Sequence, residues 1–299
     1  ENSSWITRGS LIVDENRIEL HQEAITHIND KGFYIWENAF DSSFCDEILD
    51  EISRLETLST PRSLDNDFHG HKTVRYYDVL NYGEIWQRVA THPNLLPVVQ
   101  GILGKDCLLN TFGTSIINPG ETAQPMHVDD GPFIAAHNSA LRDRPRLGKS
   151  LPRQSIVVNT MIALCDFTEA IGATRFVPES PKLDYPKAID SDRWFNASHP
   201  AEMPKGSILF FEGQCFHAGG ANRTQERRFA VSVDFCAGYL RTQENFLLSI
   251  SPDRVETFSD ALKQLIGLKI SRGGGLGHVY NHNPKGLMRH VSMPFVETD

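Results

Sequence analysis

The sequence predicts a mainly β fold with flanking helices, a sandwich or barrel with helices packed on one side. Three observations carry this expectation. Two segments with apolar residues at helical spacing lead the chain, short turn-separated β segments fill its middle, and one more helical stripe lies near its end. No internal repeat, low-complexity tract or composition break divides the 299 residues. One domain spanning 1–299 is therefore expected, with a loose lead-in over 1–16 and an irregular tail over 270–299.

Arg17 to Asp30 reads as a helix because Ile18, Ala24, Ile25 and Ile28 fall near one face, and Gly32 ends it. Phe33-Tyr34-Ile35-Trp36 follows as a short aromatic strand. Ser43 and Asp46 have the spacing of a capping box and open a second helix striped by Phe44, Ile48, Ile52 and Leu55. Residues 57–72 are polar, and His69 and His71 within them read as parts of a solvated loop. Leu95 to Leu103 is an apolar helix stopped by Gly104. Strands are expected at Cys107–Ile117, Ile156–Cys165, Thr174–Val177, Ser207–Phe211 and Phe229–Phe235. In the last of these, Phe229, Val231, Val233 and Phe235 alternate with smaller or polar residues. Residues 136–154 hold Arg142, Arg144, Arg146, Lys149 and Arg153. This stretch is too long for a routine connection and suits a lid or binding loop as well as a solvated one. Ser251-Pro252 starts a closing helix striped by Phe258, Leu262, Leu265 and Ile266.

Composition excludes several function classes. An apolar share of 40% and a charged share of 22% are those of an ordinary soluble globular protein. A net charge of -9 disfavours a general nucleic-acid binder. Five widely spaced cysteines, with no Cys-x-x-Cys, suit a reduced interior better than a disulfide scaffold. No apolar run is long enough to span a membrane and no signal-peptide pattern is visible, so a soluble, intracellular, cytoplasmic protein is expected.

The chemistry starts at Gln124-Pro-Met-His-Val-Asp-Asp130. On an extended strand, residues two apart point to one face, so His127 and Asp129 converge as two metal ligands must. A chain with 12 histidines in 299 residues is expected to hold about one such His-x-Asp pair by chance, so the pair needs support. His217 supplies it, following an apolar strand and preceding the flexible Ala218-Gly219-Gly220. Two neutral imidazoles and one carboxylate occupy one face of an iron ion and leave three positions open. A bidentate 2-oxo acid fills two of them and O2 the third. The far carboxylate of such an acid needs a planar cation. Arg228, eleven residues beyond His217, has the right chemistry, although taken alone it reads rather as a surface arginine capping a strand end.

Taken in order, His127-Val-Asp129, Ile171-Gly-Ala-Thr-Arg-Phe-Val-Pro178 and His217-Ala-Gly-Gly-Ala-Asn222 with Arg227-Arg228 resemble the phytanoyl-CoA dioxygenase family. Gly32 to Phe40 is similar to that family's opening strand, and the likeness covers roughly residues 17–270. It implies a double-stranded β-helix, a jelly-roll or cupin-like core. It also implies an iron(II)- and 2-oxoglutarate-dependent oxygenase that consumes O2 and releases succinate and CO2. Carried over, the resemblance makes His127, Asp129 and His217 the iron ligands and Arg228 the partner of the distal carboxylate of 2-oxoglutarate. Gln124, Thr160 and Arg75 resemble further cosubstrate contacts. Thr160 shares its strand face with Val158 and Ile162, which suits a core hydroxyl equally well. The chain departs from the family at Ile171, where Asn is usual, at Glu179-Ser180-Pro181 in place of Gly-Ser-His, and at Gly219, where some relatives have Ser. None of these touches the ligand set. Asp129 itself argues against halogenation, because related halogenases have Gly or Ala there and so free a site for chloride.

Two other readings stay open at this point: a jelly-roll metal hydrolase or isomerase, and a non-catalytic metal-binding sensor on the same fold. The substrate is expected to be a small molecule, with neither nucleic acid nor membrane as partner, and the sequence admits a homodimer. Phe133, His137 and His69 are the candidate substrate contacts, beside Phe68 and the basic 136–154 segment.

Overall fold

The computed structural model describes residues 15–61, 65–133, 155–183, 190–273 and 275–284. Its first helix, α1 (Glu15–Lys31), extends slightly past both expected ends. It stops where Gly32 takes φ +87°, a conformation costly for any residue with a Cβ. Helix α2 (Ser42–Leu58) buries Phe44, Ile48, Ile52 and Leu55, as its spacing predicts. Its cap is a correction. Asp41, not Ser43, is the N-cap, and its carboxylate accepts from the Phe44 amide at 2.8 Å and from the Ser43 hydroxyl. A charged acceptor complements the helix N-terminus better than a hydroxyl does. Asp46, the other half of the expected box, instead pairs with Lys205. Two more helices, α3 (Ile85–Ala90) and α4 (Leu96–Leu103), complete the leading layer, and α4 ends at Gly104 as expected.

Among the described residues there are nine strands: β1 (Phe33–Trp36), β2 (Thr73–Val74), β3 (Leu108–Ile117), β4 (Val157–Ala163), β5 (Arg175–Phe176), β6 (His199–Pro200), β7 (Ile208–Glu212), β8 (His217–Ala218) and β9 (Arg228–Cys236), of which β2, β6 and β8 lie outside the expected β segments. Six form an antiparallel sheet in the order β1-β7-β4-β9-β3-β2, and three form a smaller sheet, β6-β5-β8. A bridge between His127 and His217 adds the metal-motif segment to the edge of the smaller sheet. Mainly antiparallel sheet with helices on one side is the expected architecture. A short helix, α5 (Ser191–Ala197), lies between β5 and β6.

One alternation positions everything else. Phe229, Val231, Val233 and Phe235 of β9 join Val158 and Ile162 of β4, Phe112 of β3 and Phe210 of β7 in packing toward the helices. Ile28, Ile48, Ile52 and Val99 of the leading helices meet them there, wholly shielded from solvent. The opposite face of the same strands, with Arg228, Ser232 and Asp234 of β9, Thr111 and Ser115 of β3 and Met161 of β4, lines a cavity.

The closing helix expected from Ser251 is two short ones, α7 (Pro252–Glu256) and α8 (Asp260–Leu265), and a further short helix, α6 (Phe246–Ser249), precedes them. Ser251 caps α7, but Ser259 then adopts an extended backbone and caps α8, so the stripe of Leu262 and Leu265 belongs to a new helix. No helix of the described residues is long and apolar enough to cross a membrane.

His92 offers a check on the helical layer. It packs against the Phe40 and Phe44 rings at centroid distances of 4.1 and 5.4 Å. Burial lowers its pKa to about 4 from an ordinary 6.5, with the Arg17 charge adding to the effect. The unfolded chain therefore binds a proton that the folded state refuses. His92 contributes fully above pH 6.5, and its contribution falls as pH drops toward 4. Denaturant unfolding at stepped pH is expected to show a shallower loss of stability over that window for His92→Asn than for the native chain. Parallel profiles would mean that His92 is not buried as described.

Candidate metal centre

The segment carrying His127 and Asp129 is held extended by backbone bonds to its neighbours. The His127 amide donates to the His217 carbonyl at 2.9 Å, the His217 amide returns a bond at 3.0 Å, and the Asp129 amide donates to the Gly213 carbonyl at 2.8 Å. Side chains two apart on this segment share a face, so the three candidate ligands converge. Their ligand atoms all lie within 4.8 Å of one another. Asp129 Oδ2 is 3.1 Å from His217 Nε2, and Asp129 Oδ1 is 3.7 Å from His127 Nε2. Metal bonds of about 2.1 Å at right angles separate neighbouring ligand atoms by about 3 Å, so the set closes on an ion by contracting from the spacing it has here.

The tautomers suit a metal. His127 Nδ1 is 2.9 Å from the Pro125 carbonyl and His217 Nδ1 is 2.9 Å from the Cys215 carbonyl. A carbonyl only accepts, so each Nδ1 carries a proton and Nε2 is left as the ligand atom: His127 offers its lone pair outright, and His217 offers it on releasing the proton it shares with Asp129. Burial lowers the His127 pKa to about 4, with the neighbouring His217 adding to it. Burial would raise the Asp129 carboxyl, but His217 and His127 together bring it to about 2. Burial would also lower His217, and Asp129 reverses this and raises it. In the ion-free chain, His217 and Asp129 thus share charge as a pair.

Arg228 lies at the other end of the wall and is 1% exposed. Its Nη1 donates to the Gly172 carbonyl at 3.1 Å and its Nη2 to Ser115 Oγ at 2.9 Å, while the Phe167 ring lies 4.9 Å from the guanidinium carbon. Its Nε is buried with no hydrogen-bond partner, and no carboxylate pairs with it among the described residues. Burial lowers its pKa to about 10. A guanidinium held this way lacks an anion.

The remaining candidates divide. Arg75 lines the cavity and donates to the His69 carbonyl at 2.5 Å; His69 and Phe68 line it too, with the Phe68 ring edge-on to His127 at 4.8 Å. Gln124 also lines it, but as a brace: its oxygen accepts from the Gly219 amide at 2.8 Å and its nitrogen donates to the Phe68 carbonyl at 2.6 Å. A Cβ on Gly219 would sit 2.7 Å from that oxygen, so the small residue and the brace go together. Thr160 is corrected. It faces the helices, is wholly buried, and donates its hydroxyl to the Val233 carbonyl at 2.6 Å. The residue beside it does what Thr160 cannot: Asn159, on the cavity side, donates its amide to Asp129 Oδ2. Phe133 lies outside the cavity lining. His137 and the whole of residues 136–154 fall outside the described residues.

Sequence reasoning missed Asn159 and Asp234. For Asn159 the signal was present: Val158 and Ile162 mark the core face of β4, which leaves 159 and 161 for the other. Asp234 belongs to no motif. Burial raises its carboxyl to about 8, with the nearby Asp129 charge contributing.

The sequence model of the family described as phytanoyl-CoA dioxygenase matches residues 28–230, about two thirds of the chain. The chain belongs to the phytanoyl-CoA dioxygenase family. Among curated proteins, the chain of this family member is 31% identical over 186 residues to the dioxygenase FUM3 of Gibberella moniliformis, covering 60% of this chain and 57% of that one. It is 28% identical over 211 residues to the dioxygenase aneA of Aspergillus aculeatus, covering 69% and 67%. The matched segment thus spans less than two thirds of the length of FUM3. Among solved structures, the 2-oxoglutarate-dependent epimerase SnoN from nogalamycin biosynthesis aligns with a TM-score of 0.59 at 18% identity, covering 73% of this chain and 81% of its own. HygX of Streptomyces hygroscopicus, solved with nickel, 2-oxoglutarate and hygromycin B, aligns with a TM-score of 0.57 at 16% identity, covering 74% and 89%. These likenesses establish the cupin-like jelly-roll fold.

Asn159→Ala is expected to weaken metal binding by about 10- to 100-fold, the usual loss when a ligand's supporting hydrogen bond is removed. Thr160→Val should leave it unchanged. Competition of each variant with a chelator for iron(II) measures both, and the reverse ranking would contradict the assignment of the two faces of β4.

Proposed function

We infer that this protein is an iron(II)- and 2-oxoglutarate-dependent dioxygenase that oxidises an unactivated C–H bond of a small molecule. One observation carries the reading: a buried arginine with an unpartnered Nε, and no counter-ion among the described residues, shares a cavity with a His-Asp-His cluster. Metal-assisted hydrolysis does not by itself call for such an arginine, whereas a 2-oxo dicarboxylate satisfies both features at once. Family membership supports the same reading, as do neighbours solved with 2-oxoglutarate. Those neighbours act on natural products, which supports a small-molecule substrate of that kind for this chain.

In this reading His127, Asp129 and His217 hold the iron through the two Nε2 atoms and the carboxylate. Asn159 keeps the Asp129 carboxylate turned toward the ion. Arg228 pairs with the distal carboxylate of 2-oxoglutarate, and Ser115 and the Gly172 carbonyl keep its guanidinium flat and aimed. Arg75 adds positive charge at the same end. Iron with 2-oxoglutarate and O2, when bound, supplies an oxidant strong enough to break a C–H bond, with succinate and CO2 as coproducts. The chain's part is positional. Met161, Phe211 and Phe68 give the cavity apolar wall that keeps water from the reacting carbon. The outcome is hydroxylation when the oxygen is delivered to the carbon, and desaturation or rearrangement when the wall holds that carbon away. Residues 1–299 are read as one such domain.

Succinate formation from 2-oxoglutarate, measured with iron(II) and O2 across a metabolite library, tests this. Turnover is expected in the native chain and is expected to be abolished in His127→Ala. Arg228→Gln should raise the KM for 2-oxoglutarate by roughly two orders of magnitude, because it removes a buried charge partner, while leaving metal affinity intact. Metal binding without any 2-oxoglutarate consumption would favour a sensor instead.

A further inference from the structure

The cavity is electrically two-ended. Arg228 marks one end, with Arg75 close enough to depress its pKa further. Asp234 marks the other, six residues along the same strand and thus about 20 Å away along the backbone. The basic end is matched to a dicarboxylate. The acidic end has no assigned occupant.

The groups around Asp234 show what is missing there. Ser232 Oγ lies 3.0 Å from each carboxylate oxygen, and the Thr160 amide donates to one of them at 3.3 Å. Thr111 faces Asp234 across the β3–β9 ladder and spends its own proton on Glu244 Oε1. What Ser232 and Thr111 still offer toward the cavity is lone pairs. No lysine or arginine pairs with Asp234 among the described residues; the charged groups that act on it are Asp129 and His217, both in the metal cluster. An acceptor-lined pocket around an unpaired carboxylate, beside a site that works on a bound molecule, is complementary to a cation that donates several hydrogen bonds. Burial and then the Asp129 charge push this carboxyl up to about 8, so an ammonium bound beside it draws it into the charged form with release of its proton.

We propose that the acidic end of the cavity is a substrate subsite for a protonated amine, with Asp234 as its counter-ion and Ser232 and Thr111 as further acceptors. The proposal rests on the oxygenase reading for the meaning of "substrate", and it restricts the substrate class to amine-bearing small molecules. An amine anchored at Asp234 lies on the Asn159 side of the metal cluster, since Val158 and Met161 of β4 stand opposite Phe235 and Ser232 of β9. Carbon atoms a few bonds from the nitrogen then face the metal.

The test is calorimetric titration of the full chain, loaded with nickel(II) and 2-oxoglutarate, with n-hexylamine and n-hexanol at neutral pH. The two probes match in size and differ in charge. The ammonium is expected to bind at least tenfold more tightly than the alcohol, the usual advantage of a charge-assisted bond over a neutral one. In Asp234→Asn the two are expected to bind within about twofold of each other. Hexanol affinity should be unchanged there, which shows that the pocket remains folded. If the variant fails to fold, the ratio in the native chain still decides. Equal affinities in the native chain overturn the proposal, and so does an ammonium preference that survives Asp234→Asn. Nickel supports no turnover, so the ratio is independent of the oxygenase chemistry. An oxygenase reading that is wrong shows itself separately, as iron-loaded protein that never consumes 2-oxoglutarate.

Discussion

Strand β9 has to serve two masters, and the rest of the structure depends on its register. One face gives Phe229, Val231, Val233 and Phe235 to the helical core; the other gives Arg228, Ser232 and Asp234 to the cavity. Each of the four apolar side chains stabilises the fold by about 1.5–3 kcal/mol when buried. Taking Arg228 and Asp234 out of water costs several kcal/mol per ion. The apolar face is therefore what allows two charges to sit on the back of the same strand. A slip of one residue would send the charges into the helical core and the aromatic rings into the cavity, so the register is strongly held. The bulge in β3 between Leu109 and Thr111 is accommodated within the same ladder and leaves Thr111 opposite Asp234.

The candidate metal ligands come from segments ninety residues apart, and the fold joins them by the simplest available means. His127 and His217 exchange both backbone hydrogen bonds, so placing one ligand places the other. Each imidazole is then turned by a carbonyl two residues before it, and Asp129 is turned by Asn159. The cluster is built by backbone first and by side-chain contacts second. That order suits a site whose ion arrives after folding.

Much of this was legible from residue types and spacing. His127, Asp129, His217 and Arg228 could be named because a metal needs imidazole and carboxylate on one face and a dicarboxylate needs a planar cation. The strands and the leading helices could be placed because periods of 2 and 3.6 leave separate marks. What was hidden depends on local competition or on neighbours distant in sequence. Asp41 displaced Ser43 as a cap because a carboxylate is the stronger acceptor. Ser259 cut the last helix because it caps as readily as Ser251. Thr160 and Asn159 are adjacent polar residues, and only the face of β4 tells them apart. Gln124 lines the cavity, and its residue type alone does not reveal that its amide also braces Gly219 against Phe68. Asp234 carries no motif, and its importance arises from what surrounds it in space.

The central claim is that one cavity holds both a metal, at His127, Asp129 and His217, and a 2-oxo dicarboxylate that reaches from that metal to Arg228. Anaerobic mixing of the purified chain with iron(II) and then 2-oxoglutarate tests it directly, because chelation of iron by a 2-oxo acid produces a charge-transfer absorption in the visible. The band is expected only when both are present and should be lost in His127→Ala. In Arg228→Gln it should appear only at much higher 2-oxoglutarate concentration. A native chain that binds iron(II) yet gives no such band at saturating 2-oxoglutarate would contradict the account.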